Sequence, residues 1–171
     1  LSNGYPFARA KVLSKVSKVL LAICGGYQLL CKYYTAPNGE RIEGLGILDI
    51  YTEAGDTRFI GDTVIYNEDF NETYVGFENH SGRTYLNGLK PLGKCIHGYG
   101  NNGSDGYEGC IYKNTYCTYF HGSLLAKNPE LADRFIKMAL EIKYSEVALE
   151  KLDDSLELKA KEVMITRLNT K

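Results

Sequence analysis

The sequence predicts an α/β protein with a mostly parallel central sheet flanked by helices, and three observations predict it. A short apolar run, Lys18 to Ile23 (KVLLAI), stops at Gly25-Gly26 and gives way to apolar residues at helical spacing. From Gly44 to about Phe120, short β-prone runs alternate with Gly, Asn and Asp punctuation. A helix then opens at Asn128-Pro129. Strands and helices intermixed in 171 residues, 44% of them apolar, imply a single domain around one core.

The first run is partly β-branched and has no polar face, as expected of a strand buried on both sides. Tyr27 to Tyr34 then places Leu29, Leu30, Tyr33 and Tyr34 at helical spacing. The local order is therefore strand, tight turn, helix, with Cys24 on the turn. Downstream, LGILDIYT, DTVIY, TYVGF, EGCIYK and TYCTYF read as strands. Gly98 to Gly109 (GYGNNGSDGYEG) reads as a loop or hairpin tip, because Gly and Asn tolerate positive φ. A helix is expected over about 129–144, with Leu131, Phe135, Met138, Ala139 and Ile142 along one face. A second is expected over 155–168, started by the capping box Asp154 to Glu157, with Leu158, Val163 and Ile165 as contacts and a solvated charged face. Nothing repeats at a fixed period, which excludes a solenoid or propeller.

A formal net charge of −1 gives no basic field to attract nucleic acid or anionic lipid. No apolar run approaches the ~20 residues that cross a bilayer, and the amino end lacks the order of a signal peptide, so a soluble cytoplasmic protein is expected. The five cysteines include no CxxC pair, which points to reduced thiols rather than a disulfide framework or structural zinc.

Cys24 alone has a context that outweighs the ordinary reading of a cysteine as a small buried hydrophobe. A turn between strand and helix projects its sulfur out of the sheet. The helix start offers unpaired amides, and the Gly25 N–H points where an oxyanion would form. This is the logic of the nucleophile elbow, in which a Cβ at Gly25 or Gly26 is expected to crowd a strained turn.

Ile23 to Gln28, ICGGYQ, resembles the nucleophile motif of class I glutamine amidotransferases of the cobyric and cobyrinic acid synthase type. Gly76 to Thr84 (GFENHSGRT) and Thr118 to Glu130 (TYFHGSLLAKNPE) resemble two further blocks of that family in the same order. The resemblance implies a flavodoxin-like α/β fold with Cys24 as nucleophile, His121 as its base and Gly25 as the oxyanion amide. His121 suits the role chemically, since the cycle needs a group titrating near neutrality. Arg58, in GDTRFIGD, has a planar fork that matches the α-carboxylate of glutamine, and the family places an arginine three residues before a glycine, here Gly61. A surface ion pair is the alternative. Arg83 is a weaker candidate that could instead brace its loop. Gln28 shapes the glutamine pocket by resemblance, or is an ordinary amide near a helix start. Glu78 and His80 are read as structural, and His97 as a surface residue.

Within this type, GLGILDIYTE, VGFENHSGRTY and GYGNN look most like the branch that works with a MurT-like subunit of the Mur ligase family. That branch amidates D-glutamate of the lipid II stem peptide in peptidoglycan synthesis. The resemblance implies that this chain hydrolyses glutamine and supplies ammonia, that it needs no metal or organic cofactor, and that ATP and Mg²⁺ belong to the partner. The alternatives are an amidotransferase component of cobyric or cobyrinic acid synthesis, and a catalytically silent subunit that stabilises its partner. No GxxxxGKS/T loop occurs, which counts against a fused ATP-dependent domain.

Two features depart from the family pattern. Ser123 stands where many class I enzymes carry a histidine-orienting glutamate, so the third group is expected from elsewhere in the fold or from the partner, or a Cys-His dyad operates. Glu130 is not assigned that role. Only 23 residues precede Cys24, fewer than the family's strands and glycine-rich loop require, so a shortened amino end is expected, with one oxyanion donor and doubtful activity in isolation.

Overall fold

The computed structural model describes residues 18–169, and the expectations about a shortened amino-terminal segment lie outside the described residues. In chain order the elements are β1 (Leu20–Ile23), α1 (Gly25–Leu30), β2 (Tyr33–Thr35), β3 (Arg41–Glu43), β4 (Tyr51–Asn67), β5 (Glu72–Tyr85), β6 (Gly93–His97), β7 (Tyr107–Glu108), β8 (Cys110–Tyr112), β9 (Thr115–Thr118), β10 (Phe120–His121), α2 (Leu124–Lys127), α3 (Pro129–Glu141) and α4 (Ser155–Asn169). One sheet has the order β1-β9-β8. The other runs β10-β5-β4-β2-β3, with β6 on β4 and β7 on β6.

The α/β class holds, but the parallel character is only loosely matched. β1 is parallel to β9 and β2 to β4, while the remaining pairings are antiparallel. The cause is connection length. The links β4–β5 and β8–β9 are tight turns, which permit only antiparallel neighbours. The parallel β1–β9 pair carries the strand before Cys24. Leu20 and Ala22 pack into one core cluster with Tyr27, Leu30, Leu48, Ile50 and Tyr119. Val19, Leu21 and Ile23 pack into the other, with Tyr116, Phe120, Leu131 and Phe135. A strand covered on both faces is what its uninterrupted apolar run requires.

The helix after Cys24 is shorter than its spacing suggests. It ends at Leu30, and Tyr33 and Tyr34 lie in β2, paired with Glu43 and Ile42 of β3. The carbonyls at its end accept N–H groups from an outside segment: Leu45 N–H bonds Leu29 O, Leu48 N–H bonds Leu30 O and Gly46 N–H bonds Cys31 O. With those acceptors satisfied across the fold, the β-prone tyrosines leave the helix.

The strands of the middle region are longer than their sequence runs. β4 continues through Gly55 and Gly61 because tertiary contacts span the breaks. Gly55 lies against the Arg83 guanidinium, and the register shifts between Ala54 and Phe59 as a bulge. LGILDIYT is a strand only from Tyr51 onward. Gly98–Gly106 forms the expected hairpin tip between β6 and β7, its glycines at positive φ.

α3 ends at Glu141 and buries Leu131 and Phe135, with Met138 against the same core; Ala139 is exposed. Of the three contacts expected on α4, only Ile165 is found. Leu158 and Val163 are exposed, whereas Met164, Ile165 and Leu168 cover Val64 and Val75. Its charged side is not wholly solvated either, since Lys161 is buried against Glu130 and Arg167 pairs with Asp62. These pairs tie α4 to α3 and to β4.

Gly44 is the tightest point of the α1–β2 corner, where an added Cβ would lie 2.1 Å from the Cys31 carbonyl oxygen. Gly44→Ala is expected to lower stability by about 2 kcal/mol or more, because backbone cannot yield there as a side chain can. A thermal melt of the variant checks this, and an unchanged midpoint would contradict the placement of that corner.

Candidate functional site

Cys24 occupies the turn between β1 and α1 with φ 50° and ψ −107°. A non-glycine residue in that region costs on the order of 1–3 kcal/mol and persists only where its surroundings hold it. Two backbone bonds do so: Cys24 N–H donates to Thr118 O at 2.9 Å, and Gln28 N–H donates to Cys24 O at 3.0 Å. The thiol is partly exposed. The expected crowding at the two glycines is not found. A Cβ on Gly25 would meet nothing within 4 Å and one on Gly26 would only touch Ala22. The strain sits on Cys24 itself, and the glycines leave the approach to the sulfur open, with the N–H of Gly25 at the first position of α1.

His121 ends β10. Thr118, whose carbonyl anchors Cys24, also pairs with Ile23, so the Cys24 turn is fixed to the chain three residues before His121, across one strand junction. Cross-strand neighbours of His121 are Phe77 on β5 and then Asp62 on β4. Its Nε2 is buried and has no hydrogen-bond partner among the described residues. Burial first, then the electrostatic influence of neighbouring His80 and Arg58, holds the imidazole below its ordinary value of 6.5. It is therefore neutral, and able to accept a proton, at neutral pH.

Arg58 is exposed and shares its face with Asn79. Nε donates to Asn79 Oδ1 at 2.5 Å and Nη2 to Asn79 O at 3.2 Å. Arg83 is engaged instead in bracing. Its guanidinium carbon lies 3.3 Å from the centre of the Phe59 ring, and its nitrogens donate to the carbonyls of Thr57, Ser81 and Gly82. Gln28 Nε2 donates to the Tyr119 hydroxyl at 3.2 Å, in a relay that continues to Thr84 and Thr52.

Glu78 and His80 are both buried, and each has an internal role. Glu78 accepts the amides of Tyr99 and Gly100 and so ties down the glycine-rich hairpin. The His80 ring stacks on Tyr119 at 3.6 Å, with Nδ1–H donating to Gly82 O at 2.8 Å. His97 is exposed at the end of β6. Ser123 precedes α2 and makes no side-chain cap bond. Glu130 is paired with Lys161.

The sequence reading missed Glu108. It is fully buried on β7, where one carboxyl oxygen accepts Tyr119 N–H at 2.6 Å and the Thr118 hydroxyl lies 3.0 Å from both oxygens. An acid at the head of the β-prone run EGCIYK was its one sequence signal. Among the described residues no group of His, Cys, Asp and Glu side chains is arranged to hold a metal ion, and no helix is long and apolar enough to cross a membrane.

The model of the CobB/CobQ-like glutamine amidotransferase domain matches residues 9–129, a span that contains the elbow, the Glu78–His80 strand and His121. The chain belongs to this family. A Streptococcus pneumoniae protein named "Lipid II isoglutaminyl synthase (glutamine-hydrolyzing) subunit GatD" is 53% identical over 130 residues, 75% of this chain and 50% of that protein. The Staphylococcus aureus protein of the same name is 48% identical over 149 residues, 87% of this chain and 60% of its own. A more distant relative, named "Probable cobyric acid synthase", from Methanothermobacter thermautotrophicus, is 34% identical over 149 residues, 80% of this chain and 29% of that protein. The chain thus spans 50% and 60% of the length of the two GatD proteins. In this member of the CobB/CobQ-like family, the three sequence blocks converge on the junction between β1, β9 and β10.

Two titrations test the electrostatics. Ring-proton NMR of His121 should give a midpoint below 6.5, and Arg58→Gln, which removes a nearby positive charge from an exposed position, should move it part of the way back up. Glu108 behaves oppositely. Burial is the largest cause raising its carboxyl from 4.5 to about 8. The folded chain therefore holds a proton that the unfolded chain releases above 4.5, and the stability this confers is full below that pH and lost as pH rises through about 8. The melting temperature should fall between about pH 5 and pH 8, and Glu108→Gln should flatten that fall; equal slopes would contradict the shift.

Proposed function

We propose that this chain is the glutamine-hydrolysing part of an amide-forming complex. The observation that carries the reading is the bond from Cys24 N–H to Thr118 O, which ties a strained cysteine turn to the end of β9, three residues before His121 at the end of β10. In this mechanism His121 takes the thiol proton and Cys24 sulfur attacks the carboxamide carbon of glutamine. The Gly25 amide stabilises the tetrahedral oxyanion, an interaction of about 3 kcal/mol for one well-aimed donor. His121 returns its proton to the departing nitrogen, and ammonia leaves a γ-glutamyl thioester. Water deprotonated by His121 hydrolyses the thioester to glutamate and free thiol. Arg58 binds the substrate α-carboxylate with its exposed guanidinium, held in place by Asn79. Gln28 contributes through its hold on Tyr119, as part of the wall behind the site.

The two GatD relatives support a place in lipid II isoglutaminyl synthase. On this reading ammonia passes to a MurT-like Mur ligase family subunit that amidates D-glutamate of the stem peptide. The partner supplies ATP and Mg²⁺, and no metal or organic cofactor is needed in this chain. The complex is cytoplasmic. The similarity to the cobyric acid synthase relative favours, more weakly, a corrinoid acceptor. Copurification separates the two: a Mur-ligase-like protein supports the first, a corrinoid-synthesis protein the second.

Cys24→Ala should abolish glutamine-dependent amidation by the complex while ammonia-dependent amidation persists. Glutamine-dependent activity that survives the substitution would refute the mechanism and leave a silent stabilising subunit. Arg58→Lys should raise KM for glutamine about tenfold with little change in kcat, because a point charge replaces a bidentate fork.

A further inference from the structure

We propose that Glu108 is a positioning residue for the nucleophile and its base, holding the Thr118–Tyr119 corner from which both are set. The inference rests on the glutaminase reading above and adds a group that the reaction cycle does not itself use. At this corner the chain leaves β9 in one sheet and enters β10 in the other. The amide of Tyr119 therefore has no strand partner, and Glu108 accepts it at 2.6 Å. The Thr118 hydroxyl lies 3.0 Å from both carboxyl oxygens and accepts Phe120 N–H at 3.0 Å, one residue before His121. The Thr118 carbonyl, on the same residue, receives the N–H of Cys24. Glu108 thus fixes the residue that anchors the nucleophile, holds the Tyr119 amide directly and holds that of Phe120 through the Thr118 hydroxyl.

Glu108 is held firmly from behind. Asn101 Oδ1 accepts Gly109 N–H at 2.9 Å and its Nδ2 donates to Gly109 O at 3.0 Å. Gly109, at φ +62°, sits so close to β9 that a Cβ would lie 2.3 Å from Cys117 O. A fully buried acid in an apolar strand is a costly choice, and an apolar side chain would be tolerated here if filling space were the only requirement. What an apolar side chain cannot do is accept Tyr119 N–H and bind the Thr118 hydroxyl. Glutamine can do both, with Oε1 accepting and Nε2 donating.

The test is labelling of Cys24 by a chloroketone analogue of glutamine, followed by mass spectrometry on the protein purified with its native partners. The maximal rate and the half-saturating concentration are measured separately for wild type, His121→Asn, Glu108→Met, Glu108→Gln and Thr118→Val. Glu108→Met is expected to lower the maximal rate at least about tenfold with half-saturation unchanged, as sub-ångström displacement of reacting groups does. Glu108→Gln should restore it to within about threefold, and Thr118→Val should fall between. Thr118→Val also carries the test if the methionine variant does not fold. A normal maximal rate in both Glu108→Met and Thr118→Val, with only the melting temperature lowered, overturns the proposal. So does a glutamine variant as slow as the methionine one. If wild-type Cys24 is not labelled, or His121→Asn labels at the wild-type rate, the glutaminase reading itself has failed and the positioning role falls with it. Intact controls with an unaffected Glu108→Met refute only the latter.

Discussion

Everything in the site depends on how the chain passes Thr118. Up to that residue it is a strand of one sheet, parallel to β1, and two residues later it is a strand of the other, antiparallel to β5. A chain changing sheets exposes amides that neither ladder can satisfy, and a buried amide left unpaired costs about 1–3 kcal/mol. Here they are met by the Glu108 carboxyl and the Thr118 hydroxyl. Because the same residue also receives the Cys24 amide, the change of sheet becomes the device that ties the Cys24 turn to the segment leading to His121, nearly a hundred positions later.

Strain and electrostatics at the junction work together. Cys24 is held at positive φ by bonds on both sides of its peptide, and the space around the following glycines remains open. Burial, with His80 and Arg58 nearby, keeps His121 neutral, the state in which an imidazole can accept a proton. A cysteine held in a strained turn and an imidazole kept neutral are the two properties that the proposed acyl transfer asks of this junction.

The charged and polar residues of the Gly76–Thr84 block divide by what they touch. Glu78 and His80 face inward and tie the glycine-rich hairpin to Tyr119, the residue at the junction. Asn79, between them, faces outward and steadies Arg58. Alternation along a strand thus gives one short segment two faces, one supporting the interior and one holding the exposed Arg58. Arg83 is drawn into support as well, because its guanidinium lies over Phe59 and against the carbonyls of its own turn.

Local chemistry was enough to find the strand, turn and glycines around Cys24, the hairpin at Gly98 and the helix starting at Pro129. Each depends on neighbours in sequence, and motif resemblance supplied His121 and Arg58. It did not reach the end of α1, the fusion of short runs into β4, the contact face of α4 or the role of Glu108. These turned on distant partners: the amides of residues 45–48 ending a helix, the Arg83 fork bridging Gly55, Glu130 and Asp62 holding α4, and a change of sheet leaving Tyr119 N–H in need of an acceptor. The sequence by itself determined which residues could react and where the backbone could turn sharply, since those are properties of side chains and of glycine. Tertiary structure alone decided strand direction, element ends and the anchoring of the reactive pair, because hydrogen bonds between remote segments are satisfied only after the chain has folded.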